Sequence, residues 1–271
     1  MDDPLLVVIV NYALADHVER LLDSGALVGQ RVLLVDNASQ PDHLRRLAVR
    51  HGAELLLLER NYGFAGAVNR GIAHAGEHGP VLLLNPDVRL GPSDVDELRH
   101  ALIQRGLTGV TPLLVNVDGS VQVGTAGGPV TPTGFAVYFL FLSHLVPGAR
   151  GTFYTRRQLA GALRPDWVCM ACLLLDRDAF GRYGPIPEHE LVYAEDVAWG
   201  WTASRAGARF AVVPGVRVVH EQGAAGGSRR WSSASARLAL REHGPVKGRV
   251  ALLAMRVGLG ARRLLRRRGG S

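Results

Sequence analysis

Polar clusters punctuate the apolar stretches of this 271-residue chain at Asn11-Tyr12, Asp36-Asn37, Asn61-Tyr62-Gly63-Phe64, Asn85-Pro86-Asp87, Glu195-Asp196 and the single residue His220. Asp87 is a hard oxygen donor of the kind that holds Mg2+ or Mn2+, and a cation so held neutralises a diphosphate leaving group without moving protons. His220 is a second donor if the fold delivers it there, although a lone histidine after a strand is more often structural. Asp36 can accept hydrogen bonds from a base or ribose, while Gly63 and Gly66 let backbone approach a phosphate. Glu195 and Asp196 open a segment of helical spacing that stops at Gly207. The helix dipole stabilises acids at such a start, and a carboxylate there can also deprotonate an attacking hydroxyl within hydrogen-bond reach. Asn and Asp end strands and begin turns in every protein, so no single cluster is diagnostic. It is their succession that points to a site.

The elements that must position these groups are legible in the pattern. Residues 5–10, 31–35, 55–58 and 80–84 are continuous apolar runs, as expected of strands buried on both faces of a parallel sheet. Between them, 16–24, 41–51, 65–75 and 92–105 have helix length, with Pro92 and Ser93 at a plausible helix start. This repeated βαβ order predicts an α/β fold with a doubly wound or related sheet. Later apolar runs at 107–115 and 168–175, with a hairpin turn at Asn116 to Gly119, predict a mixed sheet. The first four polar clusters each follow a strand, so they converge on the carboxyl edge, where open sheets bind ligands. Neither G-x-G-x-x-G after the first strand nor G-x-x-x-x-G-K-[ST] occurs, which disfavours hydride transfer and P-loop chemistry.

With 47% hydrophobic residues the chain can bury a large core. Its net charge of +7 is a C-terminal feature, since no acid follows Glu242 while Lys247, Arg249, Arg256, Arg262, Arg263 and Arg266 to Arg268 accumulate. That placement, without a recognition motif, argues against nucleic acid as a partner. The start Met1-Asp2-Asp3-Pro4 lacks the charged segment of a signal peptide, and no apolar stretch is long enough to span a bilayer, so a cytoplasmic protein is expected. Cys169 and Cys172 lie in what reads as one strand, where odd spacing sends them to opposite faces as core thiols. Residues 124–165 lack clear periodicity and read as an inserted, mobile region. Its aromatics Phe135, Tyr138, Phe139 and Phe141 fit either core or a pocket. Residues 1–230 are expected to form the catalytic domain, and 231–271 a basic helical extension. There Val250, Leu253, Val257, Ala261 and Leu264 form a stripe flanked by Arg249, Arg256 and Arg263. The stripe suits the anionic inner face of a membrane, the chain's own domain, or a second subunit in a homodimer.

Taken together, Val-Ile-Val-Asn11-Tyr12, Leu-Val-Asp36-Asn37-Ala-Ser, Arg60-Asn61-Tyr-Gly63-Phe64-Ala-Gly66-Ala-Val-Asn69, Leu-Leu-Leu-Asn85-Pro86-Asp87-Val, the segment 167–180, Tyr193-Ala-Glu195-Asp196 and Val-Val-His220 resemble the inverting GT-A glycosyltransferases of family 2 type, nearest to bacterial rhamnosyltransferases. The resemblance runs in order from about Val7 to Ser228. It implies a Rossmann-like GT-A fold and a dTDP- or UDP-linked sugar donor, with a deoxysugar such as rhamnose favoured. The acceptor would be a hydroxyl of a glycan, a lipid-linked carrier or a natural product. It further implies donor-nucleotide contacts from Asn11, Tyr12, Asp36, Asn37, Asn61, Gly63, Phe64, Gly66, Asn69 and Asn85. Asp87 and His220 would hold the metal, and Asp196, beside Glu195, would be the base. Trp167, Met170, Ala171 and Trp199 would line the sugar and acceptor pocket. The chain departs from the family's pattern with Asn85 in place of the first acid of Asp-x-Asp, with Ala198 and Trp199 after the Glu-Asp pair, and with Met170 where a small residue is usual. Two other readings fit an α/β nucleotide pocket, a sugar-phosphate nucleotidyltransferase and a noncatalytic nucleotide-sugar binder. The first lacks its glycine-rich basic N-terminal loop here.

Overall fold

A computed structural model describes residues 4–76, 79–146, 148–161, 164–188, 194–221 and 227–268, without the side chains of 227–236, 239 and 262–268. Tyr193 and the segment after Glu221 therefore lie outside the described residues, as do the side chains of Arg262, Arg263, Leu264 and Arg266 to Arg268. In chain order the first half holds β1 (Leu6–Asn11), α1 (Ala15–Asp23), β2 (Arg31–Asp36), α2 (Pro41–His51), β3 (Glu54–Leu57), α3 (Gly63–Ala75), β4 (Val81–Leu84), β5 (Val88–Arg89), α4 (Asp94–Gln104) and β6 (Gly109–Val115). The second half holds β7 (Ala126–Gly127), α5 (Pro132–Phe139), α6 (Leu142–Leu145), α7 (Arg156–Leu159), β8 (Trp167–Val168), β9 (Cys172–Leu175), α8 (Ala179–Tyr183), α9 (Glu195–Arg205), β10 (Phe210–His220) and α10 (Gly227–Arg268).

The expected mixed α/β sheet is present. Eight strands run β3-β2-β1-β4-β9-β6-β10-β5, and β7 pairs separately with β8. β1 is parallel to both β2 and β4, and every one of its residues is buried. Alternate side chains therefore enter different cores. Val7 and Ile9 join Val18 of α1, Leu44 of α2 and Leu98 of α4, whereas Leu6 and Val8 join Val68 of α3 and Trp199 of α9. A sheet so covered on both faces leaves only strand ends for a ligand.

Three expectations need correction. The run 168–175 is not one strand: it leaves the small sheet after Val168 and re-enters the main sheet at Cys172. The break cancels the alternation, and Cys169 and Cys172 pack against the same core. Residues 124–165 are not an irregular insertion. They carry β7 and α5 to α7, and Phe135, Tyr138 and Phe139 form a third core with Phe153, Trp167, Val197 and Ala198. That core also takes Leu238, Ala251 and Met255 from α10, which packs on α5. The predicted apolar stripe of α10 points the other way, for Val250, Leu253 and Val257 are all more than half exposed. Small residues make the buried contact instead: a Cβ on Gly258 would lie 2.0 Å from the Phe139 carbonyl oxygen. α10 is itself two helical segments, broken where Gly244 takes φ +71° before Pro245.

Candidate active site

At the carboxyl end of β1, Asn11 is paired in register with Asp36 of β2. Both are buried, and they hold each other: Asn11 Nδ2 donates to Asp36 Oδ1 at 3.1 Å. Asp36 also accepts from the Ser39 and Gln40 amides and from Ser39 Oγ at 2.8 to 3.1 Å. These two residues build the loops more than they face solvent. Asn37 extends the frame, donating to Asn61 Oδ1 at 2.9 Å and accepting from the Tyr62 amide at 2.9 Å. Of this group Asn61 is exposed, and the Tyr12 ring stands 54% exposed at the rim. Ala13 and Ala38 follow with positive φ of 58° and 59°, an unfavourable setting for alanine of the kind that clusters at functional sites.

Other residues assigned to the donor have structural duties. Gly63 opens α3 at φ +72°, and its amide donates to Asn61 Oδ1 at 2.8 Å. Gly66 is required by Tyr62, whose Cβ would lie 2.8 Å from an added Cβ. Phe64 packs on the core beneath α3. Asn69 clamps a distant loop, donating to the Ile186 carbonyl at 2.8 Å and accepting from the Ile186 amide at 3.0 Å. Its side chain is therefore occupied in holding the approach to α9, which no local signal in the sequence announces.

The two candidate metal ligands meet. β5 runs antiparallel to the end of β10, pairing Val88 with His220, and the Glu221 amide donates to the Asp87 carbonyl at 3.0 Å. His220 Nε2 thereby lies 3.4 Å from Asp87 Oδ1, with each side chain 11% exposed. Burial pushes the Asp87 carboxyl up, but the hydrogen bond and charge of His220 outweigh it and hold the group below its ordinary value. Gln122, which sequence reasoning missed, orients the imidazole: its Oε1 is 3.0 Å from Nδ1, and its Nε2 donates to the His220 carbonyl at 2.6 Å. Glu221 ties the rim with Arg89 Nε at 2.7 Å and His17 Nε2 at 3.3 Å. An oxygen beside a nitrogen suits a divalent cation, although no cluster of three or more His, Cys, Asp or Glu occurs among the described residues.

Asp196 lies on the same edge. Asn85, after β4, donates its amide to the Ala171 carbonyl at 2.8 Å, and the neighbouring Cys169 thiol hydrogen-bonds Asp196. α9 begins after Ala194, held at φ +69°, which sets Glu195 and Asp196 at the helix start. Glu195 is buried. Burial raises the Asp196 carboxyl to about 6 against hydrogen bonds from the Val197 amide and Cys169. That value suits a group that must accept a proton near neutrality. Burial, reinforced by Asp196, pushes the Cys169 thiol well above its ordinary value, so it remains a donor.

The four residues assigned to the sugar and acceptor pocket are core instead: Trp167, Met170, Ala171 and Trp199 are at most 3% exposed. Both indoles are satisfied internally, Trp167 Nε1 donating to Thr152 O at 2.9 Å and Trp199 Nε1 to Gly184 O at 3.0 Å.

The Glycosyl transferase family 2 model matches residues 6–156. An N-acetylglucosaminyl-diphospho-decaprenol L-rhamnosyltransferase of Mycobacterium tuberculosis is 34% identical over 239 residues, 82% of this chain and 77% of the relative. The low-salt glycan biosynthesis hexosyltransferase Agl10 of Haloferax volcanii is 24% identical, covering 82% of this chain and 68% of its own. Among solved structures, GalNAc-T7 with UDP, GalNAc and Mn2+ superposes at TM-score 0.61 and 15% identity, over 88% of this chain and 47% of that one. S. aureus TarS 1-349 superposes at 0.58 and 14% identity, over 94% of this chain and 70% of that one.

Proposed function

The chain belongs to glycosyl transferase family 2, and on that premise we propose that it moves a sugar from a nucleoside-diphosphate donor to an acceptor hydroxyl by single displacement with inversion. The observation that carries this reading is the half-buried Asp196 carboxyl, raised to about 6 by desolvation, on the strand edge that also holds the Asp87–His220 pair. As the acceptor oxygen attacks the anomeric carbon, Asp196 takes its proton; the bond from that carbon to the diphosphate oxygen breaks, and the nucleoside diphosphate leaves with the electron pair. Cys169 and the Val197 amide fix the orientation of the carboxylate.

Asp87 and His220 would hold a divalent cation, Mg2+ or Mn2+, which supplies charge neutralisation for the diphosphate. Gln122 holds His220 in place for that role. Tyr12 and Asn61 would contact the nucleoside while Asn11, Asp36 and Asn37 brace them. A lipid-linked glycan acceptor and a deoxysugar such as rhamnose are supported by the mycobacterial relative, an N-acetylglucosaminyl-diphospho-decaprenol L-rhamnosyltransferase, and dTDP or UDP would carry the sugar. Residues 1–230 would form the catalytic unit and 231–271 its appendage.

A thermal-shift series with dTDP- and UDP-sugars, with and without Mn2+, tests the donor, because a ligand at 100 times its dissociation constant adds about 2.7 kcal/mol. Asp196→Asn should abolish transfer and keep donor binding, whereas Asp87→Ala should lose the Mn2+-dependent part of the shift. Transfer by Asp196→Asn at the parent rate would remove Asp196 as the base.

A further inference from the structure

We infer that the outward face of the second segment of α10, formed by Val246, Val250, Leu253 and Val257 beside Arg249 and Arg256, lies on an anionic lipid bilayer. Those four residues recur at intervals of four, three and four, one stripe along the helix, and all are more than half exposed. Their exposure is enforced from behind. Gly248, Ala251, Ala254, Met255 and Gly258 fill the opposite face, and Gly258 sits so close to the Phe139 carbonyl that no side chain fits. The helix therefore cannot turn its large residues inward without leaving α5. Leu145 and Val146, at the end of α6, which like α10 packs on α5, are also exposed, at 76% and 54%.

Charge decides what covers the stripe. Arg249 and Arg256 are exposed along one of its borders, and no acid follows Glu242 in the sequence. A second copy docking through the same face would bring an arginine row against a helical segment, after Gly244, with no carboxylate to meet it. An anionic headgroup layer offers both an apolar depth and the opposite charge, the pattern of helices that lie in a membrane interface. Spanning is not at issue, for no helix among the described residues is long and apolar enough to cross a membrane.

The surface deepens the lipid-linked acceptor reading and rests on it only for its purpose. Leu238, Ala251 and Met255 of α10 share one core with Ala194, Val197 and Ala198 around the start of α9. A helix held on a bilayer would thus fix the attitude of the element bearing Asp196 toward an acceptor embedded there.

Co-sedimentation of the full chain with phosphatidylcholine vesicles containing about one-third phosphatidylglycerol, against phosphatidylcholine alone, tests the surface without substrate. Binding is expected to the anionic vesicles and to weaken as salt is raised. Leu253→Asp with Val257→Asp, both outward-facing, should weaken it about tenfold or more while leaving the melting temperature and transfer to a water-soluble short-chain acceptor unchanged. Arg249→Ala with Arg256→Ala should remove the preference for anionic over neutral vesicles. Equal vesicle binding by parent and the Asp variant would overturn the inference, as would a parent dimer in analytical ultracentrifugation that this variant dissociates. Vesicle binding without transfer to any acceptor would sink the functional reading and leave the surface standing.

Discussion

At the scale of single residues, the carboxyl of Asp196 has a direct consequence for pH. Burial raises it to about 6, so the free enzyme should lose kcat/KM as pH falls through that value. Because the folded protein holds this proton more tightly than the unfolded chain, its stabilising contribution is complete at low pH. That contribution fades as pH rises from the ordinary carboxylate range through about 6, by at most about 1.4 kcal/mol per pH unit. Activity and this share of stability therefore move in opposite directions over one window, which paired rate and denaturation measurements can read. A limb near pH 4 would mean that the acting base is not this carboxyl. Gln122 offers a second test. Gln122→Leu removes both contacts to His220 and should lower Mn2+ affinity about tenfold to a hundredfold in an EPR titration, with donor-free folding preserved. Unchanged affinity would reduce Gln122 to a loop brace.

At the scale of elements, α9 owes its position to a missing side chain. A Cβ on Gly200 would lie 2.7 Å from the Trp167 Cβ and 2.8 Å from its Cα, backbone that no rotamer can move away. Gly200→Ala should therefore cost about 1–3 kcal/mol and lower the melting temperature by roughly 2–10 °C, and it should reduce kcat if α9 begins with the proposed base. A melting temperature equal to the parent's would mean that α9 relaxes freely. How far such elements can be read from sequence depends on whether the signal is local. The strands around β1 announce themselves because a doubly covered parallel strand must be apolar at every position. The break between Val168 and Cys172 leaves no trace, since Cys169, Met170 and Ala171 are as apolar as the strands they separate. Asn69 and Gln122 find partners far along the chain, so neither spacing nor type reveals their work. The family resemblance pointed to Asp87 and His220, whose adjacency depends on a two-residue antiparallel pairing that periodicity does not encode. In α10 the usual rule of large residues inward fails because close approach to α5 selects glycine and alanine.

At the scale of the molecule, three cores are fused rather than strung out, and the last helix completes the third. Deleting residues 227–271 should uncover Phe135, Tyr138 and Phe139, giving strong ANS binding and a lower melting temperature in place of a trimmed, stable enzyme. A deletion variant that melts like the parent would separate α10 from the fold's stability. The pairing of β5 with β10 carries a further consequence for how the protein is made. Asp87 leaves the ribosome early and His220 late, and nothing before β10 in the sequence can stand in for the imidazole at that position. A nascent or prematurely released chain can lay down the rim at Asn11 and Asp36 yet lacks the clasp between the two strands. If His220 holds the cation as proposed, competence for turnover would await the synthesis of β10, a safeguard against partly made molecules acting on the donor.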